Sequence, residues 1–163
     1  MNVEHDLAQL DEQERVLRFQ AFDLAAGWEL GTRLRAAALQ RGVAIAIEVR
    51  LLRETIFFCA MPGTTPENAD WARRKRNTVE LTQRSSYAVG RKLERDAASL
   101  EQKMGLPLRD YAVHGGSFPI RVEGVGCVGA VTVSGLPERE DHELVTSVIA
   151  EMCGLSATST RLD

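Results

Sequence analysis

Residues 111–144, with the sequence YAVHGGSFPIRVEGVGCVGAVTVSGLPEREDHEL, decide how the rest of the chain is arranged. They contain six glycines, two prolines and two of the chain's three histidines. Alternating β-forming residues predict strands over 119–123 and 125–134, joined by a turn at Gly124. Pro137, followed by acidic residues and a helical spacing of apolar side chains, predicts a helix that begins there. We therefore expect a β-hairpin that leads directly into the last helix.

The spacing of the glycines in the predicted hairpin also matches a known nucleotide-binding motif. Gly124, Gly126 and Gly129 have the G-x-G-x-x-G spacing of a dinucleotide-binding loop. In that motif the glycines lead into a helix, whose N-terminal amides hold the pyrophosphate. Here they lead into the strand-like residues VTVSG. The pattern therefore indicates a bulge, or the close approach of another backbone, rather than a nucleotide site.

The remaining segments predict an α+β domain with an antiparallel sheet. Strands that are neighbours in sequence form hairpins rather than β-α-β units, which is typical of this class. We expect one domain over residues 1–155 and a disordered tail over 156–163. The patterns predict helices over 2–15, 24–40 and 66–103, and strands over 16–22, 43–49 and 55–61.

Composition and charge narrow the classes of function. The net charge of −3 gives no concentrated positive field, so neither nucleic acid nor an anionic membrane is expected as a partner. No apolar run is long enough for a transmembrane helix. The three cysteines are widely spaced, which argues against a disulfide framework. These features, with an N-terminus that lacks the features of a signal peptide, predict a cytoplasmic protein.

A candidate ligand site lies at the two ends of the opening stretch. At one end, His114 precedes Gly115 and Gly116, which allow the backbone to approach a ligand closely. At the other end, Asp141 and His142 fall in the first turn of the last helix, where the helix dipole favours anions. The candidate ligand-binding residues are His114, Gly115, Gly116, Ser117, Phe118, Asp141 and His142. Each histidine could equally be structural, His114 beside an ordinary turn and His142 at the edge of the core.

Metal binding and nucleophilic catalysis receive little support from the sequence. The histidines lack the spacing of a zinc site, so we expect no metal site. A Ser-His-Asp or Cys-His arrangement could use Ser117 or Cys127 with either histidine, but no G-x-S-x-G elbow is present. The catalytic residues, if the protein is an enzyme, are unknown at this point.

One dense basic run, WARRKR over residues 71–76, is a second candidate surface. A solvated helix face is the ordinary explanation for such a run. Trp71, Arg74 and Lys75 are nevertheless candidates for a subunit interface or an anion-binding patch, because tryptophan and arginine are enriched at interface centres.

Two motifs resemble a known family. HGGSFPIRVEGVGCVGAVTVSGLP at 114–137, followed by DHELV, resembles the C-terminal signature of the HbpS/GlcG-like family, whose domain is described as haem-degrading. WARRKRN at 71–77, with Ser85-Ser86-Tyr87, resembles an uncharacterised cytoplasmic branch of it. The resemblance covers about residues 15–155. It implies a profilin-like α+β fold, a five-stranded antiparallel sheet flanked by helices, assembly into a homo-oligomer, and haem as a candidate ligand.

These observations favour a cytoplasmic, homo-oligomeric protein that binds a small ligand, either an anion or a haem-like compound. Two alternatives remain. One is an oligomeric interaction or scaffold protein without catalysis, which would use Trp71 and its basic neighbours. The other is a haem-binding or haem-degrading enzyme that would use His114.

Overall fold

Four antiparallel strands and the helices around them make up the computed structural model, which describes residues 2–163. The helices are α1 (Val3–Val16), α2 (Leu24–Arg41), α3 (Pro66–Thr82), α4 (Ser86–Arg95), α5 (Leu100–Met104) and α6 (Glu138–Met152). The strands are β1 (Ala46–Leu51), β2 (Glu54–Ala60), β3 (Ser117–Val122) and β4 (Gly126–Ser134), in the sheet order β2-β1-β4-β3. The predicted α+β class with an antiparallel sheet flanked by helices is confirmed.

Apolar and charged side chains alternate along β1, so the two faces of the sheet differ in character. Ile47 and Val49 of β1 lie opposite Val133 and Val131 of β4, and all four belong to the main hydrophobic core. That core also contains buried side chains of α2 and α6, so these helices cover this face. The intervening residues of β1 carry charge, and they meet α3 on the other face: Glu48 pairs with Arg76 at 3.0 Å, and Arg50 pairs with Glu80 at 2.6 Å.

The glycines of the second hairpin, formed by β3 and β4, accompany a bulge and a point of close backbone approach, as the sequence indicated. The register between β3 and β4 shifts between Ile120 and Arg121, which is the irregularity expected of a bulge. A Cβ on Gly129 would lie 2.0 Å from the carbonyl oxygen of Arg50 on the neighbouring strand. Gly129 is thus a point of close backbone approach within the sheet, not part of a phosphate loop.

The sheet has four strands within the described residues, not five. The predicted strand over 16–22 is wrong, because α1 continues to Val16 and only Phe19 forms an isolated bridge, to Val122. Two backbone hydrogen bonds support this bridge: Phe19 N–H donates to Arg121, and Glu123 N–H donates to the Phe19 carbonyl. The side chains of Leu17 and Phe19 enter the core without extending a strand.

The predicted helix over 66–103 is also wrong in its continuity. Gln83 takes a left-handed conformation with φ 55° and ends α3, and Ser85 then caps α4 by accepting from the Ala88 amide at 3.1 Å. The carboxylate of Glu14 on α1 accepts from the Ser85 amide at 2.9 Å, so a long-range contact stabilises the break.

No helix in residues 2–163 has both the length and the hydropathy needed to cross a bilayer.

The C-terminal residues differ from the predicted disordered tail. Ala157–Thr160 form a short 3-10 helix, and Leu162 is buried against Leu10, Tyr87 and Ala88. The side-chain amide of Gln13 donates to the Thr160 carbonyl at 2.5 Å. The tail therefore packs against α1, and its polar composition did not reveal this contact.

Candidate functional site

A buried ion pair connects α3 to the start of α6. Lys75 Nζ lies 2.9 Å from Asp141 Oδ2, and the two side chains are only 4% and 1% exposed. Lys75 also donates to the Val133 carbonyl at 3.3 Å, at the end of β4. The other carboxylate oxygen of Asp141 accepts from the Leu136 amide at 3.1 Å. Burial raises the pKa of Asp141 above its usual value, and the Lys75 ammonium opposes that rise.

The loop before β3 passes close to this ion pair because two of its residues are glycines. A Cβ on Gly115 would lie 2.1 Å from the Glu138 carbonyl oxygen at the start of α6. Gly116 has φ 129°, and a Cβ there would lie 2.8 Å from Lys75 Nζ. The loop can therefore press against both α6 and Lys75 only with glycine at these two positions.

This loop places His114 against Trp71. The two rings contact edge to face, with centroids 4.8 Å apart, and His114 is exposed. The guanidinium of Arg74 stacks on the Trp71 ring at 4.3 Å. Among residues 2–163, no hydrogen bond involves the ring nitrogens of His114, so one nitrogen is free to bind a ligand.

A cavity of about 320 Å³ lies between α3, this loop and the start of α6. Trp71 and His114 line it together with the Lys75–Asp141 pair, and the loop that follows β4 completes its wall. The complete lining is Glu67, Asn68, Trp71, Lys75, His114, Ser134, Gly135, Leu136, Glu138 and Asp141. Three carboxylates and one lysine are present, so the lining charges do not favour a strongly anionic ligand. We call this space the Trp71 cavity.

A smaller space of about 190 Å³ lies on the other side of His114. His114 and Glu138 line both spaces, and Arg91 and Tyr87 of α4 line only the smaller one. His114 therefore stands between two adjoining spaces. A ligand bound in the Trp71 cavity would contact one side of this imidazole.

His142 does not line the Trp71 cavity, although it is the residue next to Asp141. Its side chain is fully buried, and Nε2 lies 2.7 Å from Gln13 Oε1 on α1. The rings of Tyr87 and Phe118 flank it at 5.2 and 5.9 Å. Burial and the nearby Arg139 charge lower the pKa of His142 to about 3, so it is neutral near pH 7. The structure therefore separates the two histidines that we expected to share a site.

Ser117 and Phe118 belong to the sheet and not to the cavity. Ser117 Oγ lies 2.7 Å from Thr132 Oγ1 of the neighbouring strand, and the Ser117 amide donates to Ser86 Oγ at 3.1 Å. Phe118 is part of the main hydrophobic core. The glycine turn thus separates one residue that faces the cavity, His114, from two structural ones.

The basic run does not form a free patch of positive charge. Lys75 is buried in the ion pair, and the Arg74 guanidinium donates to the Leu108 carbonyl at 2.9 Å. Arg73 pairs with Asp110 at 3.0 Å, and Arg76 pairs with Glu48. Of the three residues predicted for a subunit interface or an anion patch, Trp71 and Lys75 line the cavity with His114, and Arg74 stacks on Trp71.

Sequence reasoning missed two acidic residues of the cavity, Glu67 and Glu138. Glu67 precedes Trp71 by four residues on α3, and its carboxylate accepts from Trp71 Nε1 at 3.4 Å. Helical spacing alone would have placed the side chains of Glu67 and Trp71 together.

Within residues 2–163, no group of three or more histidine, cysteine or acidic side chains has the arrangement of a metal site.

Comparison with known proteins identifies close relatives along nearly the whole chain. A UPF0303 protein of Azotobacter vinelandii is 54% identical over 152 residues, which cover 93% of this chain and 92% of that protein. A UPF0303 protein of Serratia proteamaculans is 49% identical over 156 residues, covering 96% of this chain and 97% of that protein.

Solved structures share the fold at lower identity. The Ybr137w protein superposes with a TM-score of 0.84 at 25% identity, covering 91% of this chain and 87% of its own. HbpS superposes with a TM-score of 0.64 at 18% identity, covering 83% and 92%. A complex of PduOC with haem has a TM-score of 0.63 at 17% identity, covering 76% and 90%. The last two likenesses show a common fold alone.

The match to a family extends over most of the domain. Residues 22–150 match the family described as haem degrading protein HbpS-like, a range that includes the sheet, α3, the glycine turn and nearly all of α6. The chain therefore belongs to the HbpS-like family.

Proposed function

We propose that this protein binds a small ligand in the Trp71 cavity, with His114 as the residue that contacts the ligand directly. One observation carries the proposal: an exposed imidazole without a hydrogen bond, held against Trp71, lies over a buried Lys75–Asp141 pair in one cavity. Ligand sites are concave spaces in which a few polar groups converge among apolar ones. Here the groups come from three segments that are distant in the sequence.

The charges and size of the cavity limit the class of ligand. Because Glu67, Glu138 and Asp141 outnumber Lys75, a polyanion would be repelled, and a neutral or weakly charged ligand fits better. The volume of about 320 Å³ lies near the lower end of the range for ligand sites. A molecule as large as haem would therefore remain partly exposed to solvent, with its two propionate groups in the solvent, away from the carboxylates of the lining.

A haem-like compound is the first ligand to test. His114 offers one imidazole nitrogen, which is the ordinary axial ligand of haem iron, and Trp71 lies beside it. Both the HbpS-like family and the structural likeness to a PduOC–haem complex support this choice. Iron would supply redox chemistry when bound, and the chain's own contribution would be to bind and orient the compound.

We expect hemin titrated into the protein at neutral pH to shift its Soret band, and His114→Ala to abolish the shift because the axial nitrogen is lost. Visible absorption spectroscopy measures this directly. His5→Ala is the matched control, because His5 is an exposed histidine on α1, outside the cavity. A shift that survives His114→Ala would contradict the proposed role of His114. Loss of the band on addition of ascorbate, dependent on His114, would support the haem-degrading alternative.

Self-association is a second candidate property, favoured by a different surface. Leu24 and Trp28 lie one turn apart on α2 and are 65% and 64% exposed. Exposed apolar side chains that lie together are typical of interaction sites. We propose that a second copy of the chain covers this surface, in place of the interface first expected around Trp71.

We expect Trp28→Glu to lower the mass of the protein in solution, measured by light scattering coupled to size-exclusion chromatography. A charge on this surface would have to be desolvated in the interface. The variant Trp71→Ala with Arg74→Glu should leave the mass unchanged. If instead only that second variant lowers the mass, the interface lies at the basic run. A monomeric wild-type protein would rule out both.

We also propose a cytoplasmic location. Cys59, Cys127 and Cys153 are all free thiols, as is usual in a reducing compartment. Fractionation of cells with an antibody to the chain tests this location.

A further inference from the structure

A second cavity, with a volume of about 660 Å³, lies between α1, the end of α3, α4 and α5. It shares no lining residue with the Trp71 cavity. Its lining is Leu7, Asp11, Thr82, Arg84, Ala88, Val89, Lys92, Leu93, Arg95, Asp96, Lys103 and Met104. We call it the α4 cavity, and nothing in the function proposed above uses it.

The floor of the α4 cavity is apolar. Leu7 of α1 and Ala88 and Leu93 of α4 are buried there, and Val89 is half-buried beside them. Met104 of α5 lines the same cavity with 42% of its surface exposed, and a methionine side chain adapts easily to the shape of an apolar ligand. The floor thus offers a continuous surface to a flexible hydrocarbon.

More cations than carboxylates line the rim of the α4 cavity. Four cations line it, Arg84, Lys92, Arg95 and Lys103, against two carboxylates, Asp11 and Asp96. Arg84 pairs with Asp11 and with Glu14, and Arg95 pairs with Asp96 at 2.9 Å and with Glu4 at 3.9 Å. Lys103 also pairs with Asp96, at 3.4 Å. Among the residues described, Lys92 is the cation of this set without a carboxylate within ion-pair distance.

An apolar floor beneath a rim that carries an unpaired cation matches one chemical class of ligand. We propose that the α4 cavity binds an unbranched medium-chain carboxylate, with its alkyl chain on Leu7, Val89 and Leu93 and its carboxylate near Lys92. The volume lies within the usual range for ligand sites. Lys92, the rim cation that makes no ion pair, complements the carboxylate even though the chain as a whole carries a net charge of −3. This inference is independent of the function proposed for the Trp71 cavity.

Displacement of a dansyl-labelled undecanoate, followed by fluorescence, tests the proposal with octanoate, decanoate and dodecanoate as competitors below their micelle concentrations. Each added methylene buried on the floor should tighten binding roughly fourfold. Lys92→Glu should weaken decanoate binding roughly tenfold, because attraction becomes repulsion. Val89→Asp should abolish binding, since it places a charge on the apolar floor.

Two control variants show whether the carboxylate binds in the α4 cavity. Arg35→Glu makes the same change of charge on the exposed face of α2, outside the cavity, and should leave binding unchanged. Trp71→Ala should also leave it unchanged. The proposal is overturned if the probe does not bind saturably, if chain length has no effect, or if binding is lost in Trp71→Ala and kept in Lys92→Glu. Because Lys92 is exposed, its substitution leaves the fold intact and remains informative even if Val89→Asp does not fold.

Discussion

Lys75→Met is expected to lower the free energy of unfolding by about 3 to 5 kcal/mol, the usual effect of removing one partner of a buried ion pair. Lys75 and Asp141 are 4% and 1% exposed, so the substitution leaves a carboxylate without its cation in a place that water does not reach. The amides of Gly135 and Leu136 still donate to Asp141 and stabilise it in part. Urea denaturation, compared at the transition midpoint and slope, measures the loss.

The pair at Arg33 and Glu29 on α2 is the matched control for this experiment. Its nitrogen and oxygen are 2.7 Å apart, but the side chains are 45% and 51% exposed. Arg33→Met should therefore change the stability by about 0.5 kcal/mol or less. The double variant Lys75→Met with Asp141→Asn should be more stable than Lys75→Met alone, because it removes the unpaired charge. A loss below about 1 kcal/mol in Lys75→Met would mean that water reaches the pair.

His142 is expected to make the protein less stable as the pH falls below about 6.5. Its pKa is about 3 in the folded protein and 6.5 in the unfolded chain, because burial disfavours the charged imidazole. Between these values the unfolded chain binds a proton that the folded chain does not, so acid favours unfolding. From pH 6.5 to pH 4 the loss is about 3 kcal/mol.

The pH dependence of stability in His142→Gln tests this expectation. Glutamine does not titrate, so the variant should have a shallower decline between pH 6.5 and pH 4, whatever its stability at pH 7. His114→Gln serves as the control for the loss of an exposed imidazole. Parallel curves for His142→Gln and the wild-type protein would show that His142 can be protonated in the folded state.

Local patterns predicted most of the elements. The second hairpin was expected over 119–123 and 125–134, and β3 and β4 span Ser117–Val122 and Gly126–Ser134. Period-two alternation and glycine turns are properties of neighbouring residues, so they can be recognised without the rest of the chain. The break between α3 and α4 was missed, because part of what stabilises it is the Glu14 carboxylate on α1. The packed tail was missed for the same reason.

The candidate site was predicted in part. His114, the two glycines after it and Asp141 lie near one another in the structure, at the two ends of one hairpin, as the hypothesis of a shared site requires. Trp71 and Lys75 were assigned to a separate surface, and only the packing of α3 on the sheet brings them to the same cavity. Helical spacing predicts which residues share a face of α3, but not what lies opposite that face.

The sequence marked Gly115, Gly116 and Gly129 as points of close approach, because glycine alone lacks a Cβ, but the atoms that approach them belong to other elements of the fold. It was sufficient for the antiparallel class of the sheet. Only the tertiary structure decided where the two histidines lie. His114 is exposed beside Trp71, whereas His142 is fully buried against Gln13. Long-range packing sets which face of α6 is covered, and therefore whether the His142 imidazole is removed from water.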